Sequence, residues 1–251
     1  MAGDGATPPR LAGGERAMGK MKGGWLLLAG LAQAAPAAHY QSYTLAVEPW
    51  GMLDTDRGVG PDFIRFLAAQ AGFEVTAEAR PYLRVLDGMR SGENAINLGI
   101  PSPERNRYGI AICTIGSVKV SLVYLKSAGR EHHSAASFSG LQIGELRGSR
   151  TLEEFDRTVK HRPVLLSDMS QGMRMLDATV CVRPGCGNLL AEAGVEPAGL
   201  GEWLFAEQPL EIYVSRASAL SRDAAAMLRL RLACDSAAGR QEMCRLLAPY
   251  R

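Results

Sequence analysis

Residues 96–124 read INLGIPSPERNRYGIAICTIGSVKVSLVY. A short apolar run, Ala95 to Ile100, predicts a buried strand, and Pro101-Ser102-Pro103 predicts a rigid turn after it. The turn delivers Arg105 to the end of the strand, the edge at which open α/β sheets bind ligands. A guanidinium there offers a planar fork that matches a carboxylate. Arg105 is also one of 28 basic residues, so a solvated turn position is the alternative. Beyond it, Gly109 to Ile115 and Val118 to Leu125 are two β-rich runs separated by Gly116-Ser117.

Upstream, Tyr43 to Val47 alternates as a strand and ends in the turn Glu48-Pro49-Trp50-Gly51. Trp50 thus sits on the same edge as Arg105, either to pack on a ligand or to cap the core. Pro61 and Asp62 open a helix that Gly72 stops, and Phe63, Phe66, Leu67 and Ala71 form its buried stripe. Phe73 to Ala77 is a strand, and Leu83, Leu86 and Met89 mark a short helix closed by Gly92. Strand and helix alternation predicts a parallel sheet with helices on its faces.

Downstream, the composition turns small and polar over Ser127 to Ser139, and a second α/β pattern begins. Its strand Leu141 to Leu146 runs into the turn Arg147 to Arg150 and a helix over Thr151 to Val159. Ser149 or Thr151 can cap that helix, whose exposed amides make an anion site. Val164 to Leu166 and Ala178 to Val182 are further strands, with a helix over Gln171 to Leu176 between them. Leu204 to Ser215 is a long apolar-rich segment suited to a return crossing, and Arg222 to Tyr250 is helical.

The net charge of +2, without a basic run or an aromatic-interleaved basic patch, excludes nucleic acid as a partner. The N-terminal order is basic KMKGG, apolar WLLLAGLA, then small AQAAPAA, which predicts an export signal cut between Ala34 and Ala38. Residues 1–38 are thus a disordered extension plus signal peptide, with translation from Met18 or Met21 as the alternative for the first 17. The apolar run is too short to span a bilayer, which takes about 20 residues. Five cysteines suit an oxidising compartment. Cys181 with Cys186, and Cys234 with Cys244 across a break at Gly239, are candidate disulfides, with Cys113 left over; reduced thiols are the alternative. No cysteine or histidine spacing fits zinc.

The pieces YTLAVEPWG, GVGPDFIRFLAAQAG, PYLRVLDGMRSGE, PSPERNRYGIAI and LQIGELRGSR, in this order, resemble the periplasmic solute-binding proteins of the polar amino-acid class, bacterial family 3. The resemblance covers about 215 residues of the predicted mature chain. It implies two α/β lobes, 39–120 with 212–251 and 121–211, joined by a two-strand hinge near Val118 to Tyr124 and Leu210 to Val214. It places the ligand's anion on Arg105 beside Ser102, the aromatic walls at Trp50 and Tyr82, and a second anion-holding turn at Gly148, Ser149 and Arg150, with Asn97 as a further contact. It implies a monomeric periplasmic binder of a small carboxylate-bearing metabolite, a membrane permease of an ABC importer as partner, and no cofactor.

Family members that bind α-amino acids carry a carboxylate after a second-lobe strand that here ends in Val182 and Arg183. An ammonium buried there without a partner costs several kcal/mol, and Arg183 repels it. The expectation is therefore a ligand more negative than an ordinary amino acid. Two other readings remain. One is a periplasmic dehydratase-like enzyme on this fold, with Glu48, Asp54 and Asp56 as acid–base groups rather than turn residues; the other is a soluble ligand sensor. No nucleophile elbow, zinc-protease helix, phosphate loop or dinucleotide fingerprint occurs.

Overall fold

The computed structural model describes residues 38–126, 131–149, 153–167, 169–175 and 177–250. The predicted signal segment up to residue 37, Arg150 and Thr151 lie outside them. The first lobe opens with β1 (His39–Leu45), α1 (Val59–Ala71) and β2 (Glu74–Arg80), where β2 pairs in parallel with β1. The apolar spacing of α1 buries Phe63, Ile64 and Leu67, and Gly72 closes the helix at φ 74°, a left-handed conformation that glycine adopts freely. Next come α2 (Tyr82–Ser91), β3 (Ile96–Gly99), α3 (Pro103–Tyr108) and β4 (Gly109–Leu125).

The second lobe follows with β5 (Gln142–Leu146), α4 (Glu153–Thr158), β6 (Arg162–Leu166), α5 (Met169–Met175), β7 (Ala178–Arg183) and α6 (Cys186–Glu192). The chain returns through β8 (Leu200–Ser215) and ends in α7 (Ala224–Asp235) and α8 (Ala237–Leu247).

Three sequence expectations are corrected here, two of them by strand pairing. The two runs around Gly116 are one 17-residue strand, β4, whose ladder with β8 shifts register at Ala111/Cys113, Thr114/Gly116 and Val120/Ser121. The glycine makes an irregularity within the strand rather than a turn. β3 joins β8 in antiparallel fashion, giving a mixed six-stranded sheet in the order β3-β8-β4-β7-β5-β6 instead of a purely parallel one. The chain also forms α6, where no helix was expected.

β4 and β8 each run through both lobes, and their burial divides along their length. Val118 and Leu210 pack in a core with Phe63, Leu67, Ile96 and Leu230. Val120 and Leu122 pack instead with Phe138, Ile143 and Phe155, while the neighbouring Val123 turns to the opposite face with Leu166, Met173 and Cys181. This alternation is the period-two geometry of a strand covered on both faces. The architecture is two α/β lobes joined by two strands. Among the described residues, no helix is long and apolar enough to cross a membrane.

Cys181 and Cys186 form a disulfide with Cα atoms 5.6 Å apart. Cys234 does not pair with Cys244: it bonds Cys113, Cα to Cα 6.4 Å, and Cys244 is an exposed thiol. The physical reason is packing. α7 lies on β4 and faces Cys113 with Cys234, both among the first core's residues. The break between the last helices falls at Ser236, whose hydroxyl accepts from the Gly239 amide 2.9 Å away and caps α8. Gly239 itself is inside α8, too close to the Ala233 and Cys234 carbonyls for a side chain.

Candidate functional site

Arg105 belongs to a short helix, not only to a turn. Pro103 starts α3, and Ser102 caps it by accepting from the Arg105 amide at 3.2 Å. The side chain then folds back over β3. Its Nε donates to Asn97 Oδ1 at 2.9 Å, its Nη1 donates to the Ile100 carbonyl at 2.6 Å, and its Cζ lies 5.3 Å from the Tyr82 ring centre. Asn97 is itself fixed, because its Nδ2 donates to the Tyr43 carbonyl at 3.0 Å. Arg105 is only 5% exposed, and its Nη2 makes no hydrogen bond to any described residue.

That guanidinium lines a cavity of about 120 Å³ between the lobes. Gly99 makes the position possible: a Cβ there would come within 2.4 Å of Arg105 Cζ. The first lobe adds Trp50, Tyr82 and Glu48 to the lining, and the second adds Ser149, Met169, Val182 and Leu189 among others. Trp50 is held by the turn after β1, in which its amide donates to the Val47 carbonyl at 2.7 Å. Its carbonyl accepts from Gly60 at the start of α1 at 2.9 Å. Ser149 follows β5, its amide bonded to the Leu146 carbonyl at 2.9 Å. The wall is apolar apart from Arg105, Glu48 and a few hydroxyls, so a charge brought here is poorly screened by solvent.

Among the described residues, two second-lobe glycines lie against the first lobe. Gly148, at φ 83°, lies against Leu83 and Tyr82, and Gly185 lies against Pro49 and the Glu48 carbonyl. Gly148 therefore serves as an inter-lobe contact and does not line the cavity.

Several expected ligand residues have other work. Ser102 caps α3 and Asn97 braces Arg105, and neither lines the cavity. Arg183 also lies outside the cavity lining; it forms a bidentate pair with Glu202 on β8, its side chain 53% exposed. Its hydrogen bond to Glu202 stabilises the charged guanidinium further. Arg183 is thus no source of repulsion for an ammonium in the site: its charge is paired with Glu202 on β8, on the far side of β4. Asp177, a carboxylate just before β7, accepts from the Gln142 amide at 2.8 Å, a structural bond. Asp56 likewise accepts from the Ala79 amide at 2.9 Å. The expected anion site on the second-lobe helix also changes character. α4 has six residues and carries Glu153, Glu154 and Asp156 in its first turn, which already complement its positive end. Glu48 reads in the sequence as a turn residue or an acid–base group and not as a binder's wall; Met169 and Leu189 carry no local signal, and Gly99 only that of a glycine two residues before Pro101.

No family model and no curated protein matches this sequence. Solved structures do. An ancestral arginine-binding protein bound to arginine superposes with TM-score 0.68 at 15% identity, over 86% of this chain and 99% of that one. A histidine kinase sensor domain with similarity to periplasmic binding proteins gives 0.70 at 13%, over 85% and 96%. An amino acid ABC transporter substrate-binding protein from Streptococcus pneumoniae bound to L-arginine gives 0.65 at 12%, over 85% and 94%. At these identities the likeness establishes the fold: the chain has the two-lobed α/β architecture of the periplasmic binding proteins.

Proposed function

We propose that this protein is an exported solute-binding protein that closes its lobes, 39–120 with 212–251 and 121–211, on a small carboxylate-bearing metabolite and presents it to an ABC-type importer. The observation that carries the reading is the Arg105 guanidinium, buried at the cavity wall with two of its nitrogens satisfied and Nη2 left to a ligand. A ligand carboxylate completes that fork with charge-assisted hydrogen bonds in a water-poor site. Trp50 and Tyr82 flank it as apolar walls, and Ser149 brings a hydroxyl from the other lobe. Ligand binding favours closure because only the closed cleft presents both lobes at once. The basic-apolar-small N-terminal segment supports export to the periplasm. The reading is of a binder rather than a dehydratase-like enzyme.

Isothermal titration of the purified protein against amino acids and organic acids tests this. Arg105→Ala should weaken the best ligand by about 2–5 kcal/mol, since it leaves a buried carboxylate unpaired. Equal affinity in that variant removes Arg105 from the site. A second reading, a ligand-sensing module, is favoured by the sensor-domain neighbour, whose fold is as similar as that of the transport proteins. Genomic neighbours separate the two: a permease and an ATPase point to import, a kinase or response regulator to sensing.

A further inference from the structure

Two charged residues line the cavity among the described residues, Arg105 and Glu48. Glu48 is half-buried, and its carboxylate makes no hydrogen bond or ion pair with another described residue. A second pocket of about 410 Å³ adjoins the first, and Val47, Glu48, Met169 and Leu189 line both. Arg105 borders the first pocket alone, whereas Asp54 and Glu192 border the second alone. Across the two adjoining pockets the lining is therefore polarised, with Arg105 on the side of the first, apolar residues and Glu48 where they meet, and Asp54 on the side of the second.

Resting on the carboxylate reading above, we infer that the ligand is a zwitterion whose charges stand at opposite ends of an aliphatic stem, an ω-amino or ω-guanidino acid. Its carboxylate meets Arg105, its stem lies along Trp50, Met169 and Leu189, and its cation meets Glu48. An α-amino acid satisfies this cleft less well. Its ammonium adjoins its carboxylate and so sits beside Arg105, whereas Glu48, the one carboxylate residue lining the cavity among the described residues, stands where the second pocket adjoins. A simple fatty acid leaves Glu48 facing an apolar stem, which costs the desolvation of an unpaired charge.

The test uses three matched probes in calorimetric titration. Valerate has the carboxylate and stem, δ-aminovalerate adds a terminal amine, and norvaline is its isomer with the amine next to the carboxylate. δ-Aminovalerate should bind roughly tenfold or more tightly than valerate, as a partly desolvated charge-assisted pair implies. It should also surpass norvaline, and Glu48→Gln should abolish its margin over valerate. Valerate binding as well as δ-aminovalerate, norvaline binding better than δ-aminovalerate, or a margin that survives Glu48→Gln overturns the inference while leaving the carboxylate reading intact. If none of the three binds, this inference fails, while the carboxylate reading stands or falls by the wider titration and Arg105→Ala.

Discussion

A guanidinium taken out of water is unfavourable unless its N–H groups are matched, and Arg105 is matched on one side only. The Asn97 amide and the Ile100 carbonyl fix it, and the missing side chain of Gly99 leaves it room. Gly99→Ala should therefore act on binding through Arg105. The new Cβ forces the guanidinium off Asn97, and carboxylate affinity should fall by about 1.5–3 kcal/mol, the worth of a hydrogen bond to a charged group. Titration that finds the affinity unchanged would show that β3 does not set the guanidinium's position. Arg183 is the counter-case, exposed and paired to Glu202. Burial of Glu202 favours its neutral acid, but the hydrogen bond and charge of Arg183 outweigh this and hold the carboxyl below its ordinary range. A lowered folded-state pKa gives stability that is present above the unfolded value of about 4.3 and is lost as pH falls through the folded one. Arg183→Ala should thus cost about 1 kcal/mol or less at pH 7, lose that effect on acidification, and leave ligand affinity alone. Thermal melts across pH check the first part and titration the second. The difference between the two arginines was only half legible in the sequence. The Pro-Ser-Pro-Glu-Arg run announces a local device, and the structure puts Arg105 on the cavity wall. Glu202 lies 19 residues from Arg183, on a strand whose register no local pattern dictates.

At the scale of elements, the long β4–β8 pair and the last two helices decide how the first lobe holds together. α7 is bolted to β4 by Cys113–Cys234, residues separated by 121 positions. Closing so long a loop restricts the unfolded chain strongly, so Cys234→Ser should lower stability by about 2–5 kcal/mol. Cys244→Ser should leave stability within about 0.5 kcal/mol, as an exposed position outside the bond. Non-reducing peptide mapping and denaturant melts of both variants check this; a Cys234–Cys244 peptide would reverse the assignment. Local signals were good guides to most elements: the α1 stripe, the Gly72 stop and the alternating strands all rest on short-range periodicity. Pairing was not legible, because it depends on which strand lies beside which. Both Cys234–Cys244 and Cys113–Cys234 satisfy sequence arithmetic, and only the packing of α7 on β4 chooses between them.

For the whole molecule, the proposed function rests on how the lobes meet. One meeting point is the loop between β7 and α6, tied at its base by Cys181–Cys186, whose Gly185 lies against Pro49 across the cleft. A Cβ at Gly185 would approach Pro49 Cδ to 2.8 Å, and a proline ring cannot swing aside as a flexible side chain does. The disulfide keeps the loop from yielding in its turn. Gly185→Ala should therefore disfavour the closed arrangement and so weaken every ligand in proportion to the lost closed population. Gly185 sits at φ 135°, so alanine also strains the backbone, by about 1–3 kcal/mol. Stability alone thus does not report closure, and small-angle scattering supplies the separate readout. Saturating ligand should contract the parent protein, the variant should stay expanded at the same ligand concentration, and combining it with Cys186→Ser should restore part of the contraction by freeing the loop. A variant that contracts and binds like the parent would mean that the lobes shut without this contact, and closure would then have to be sought at Gly148 and Leu83 instead.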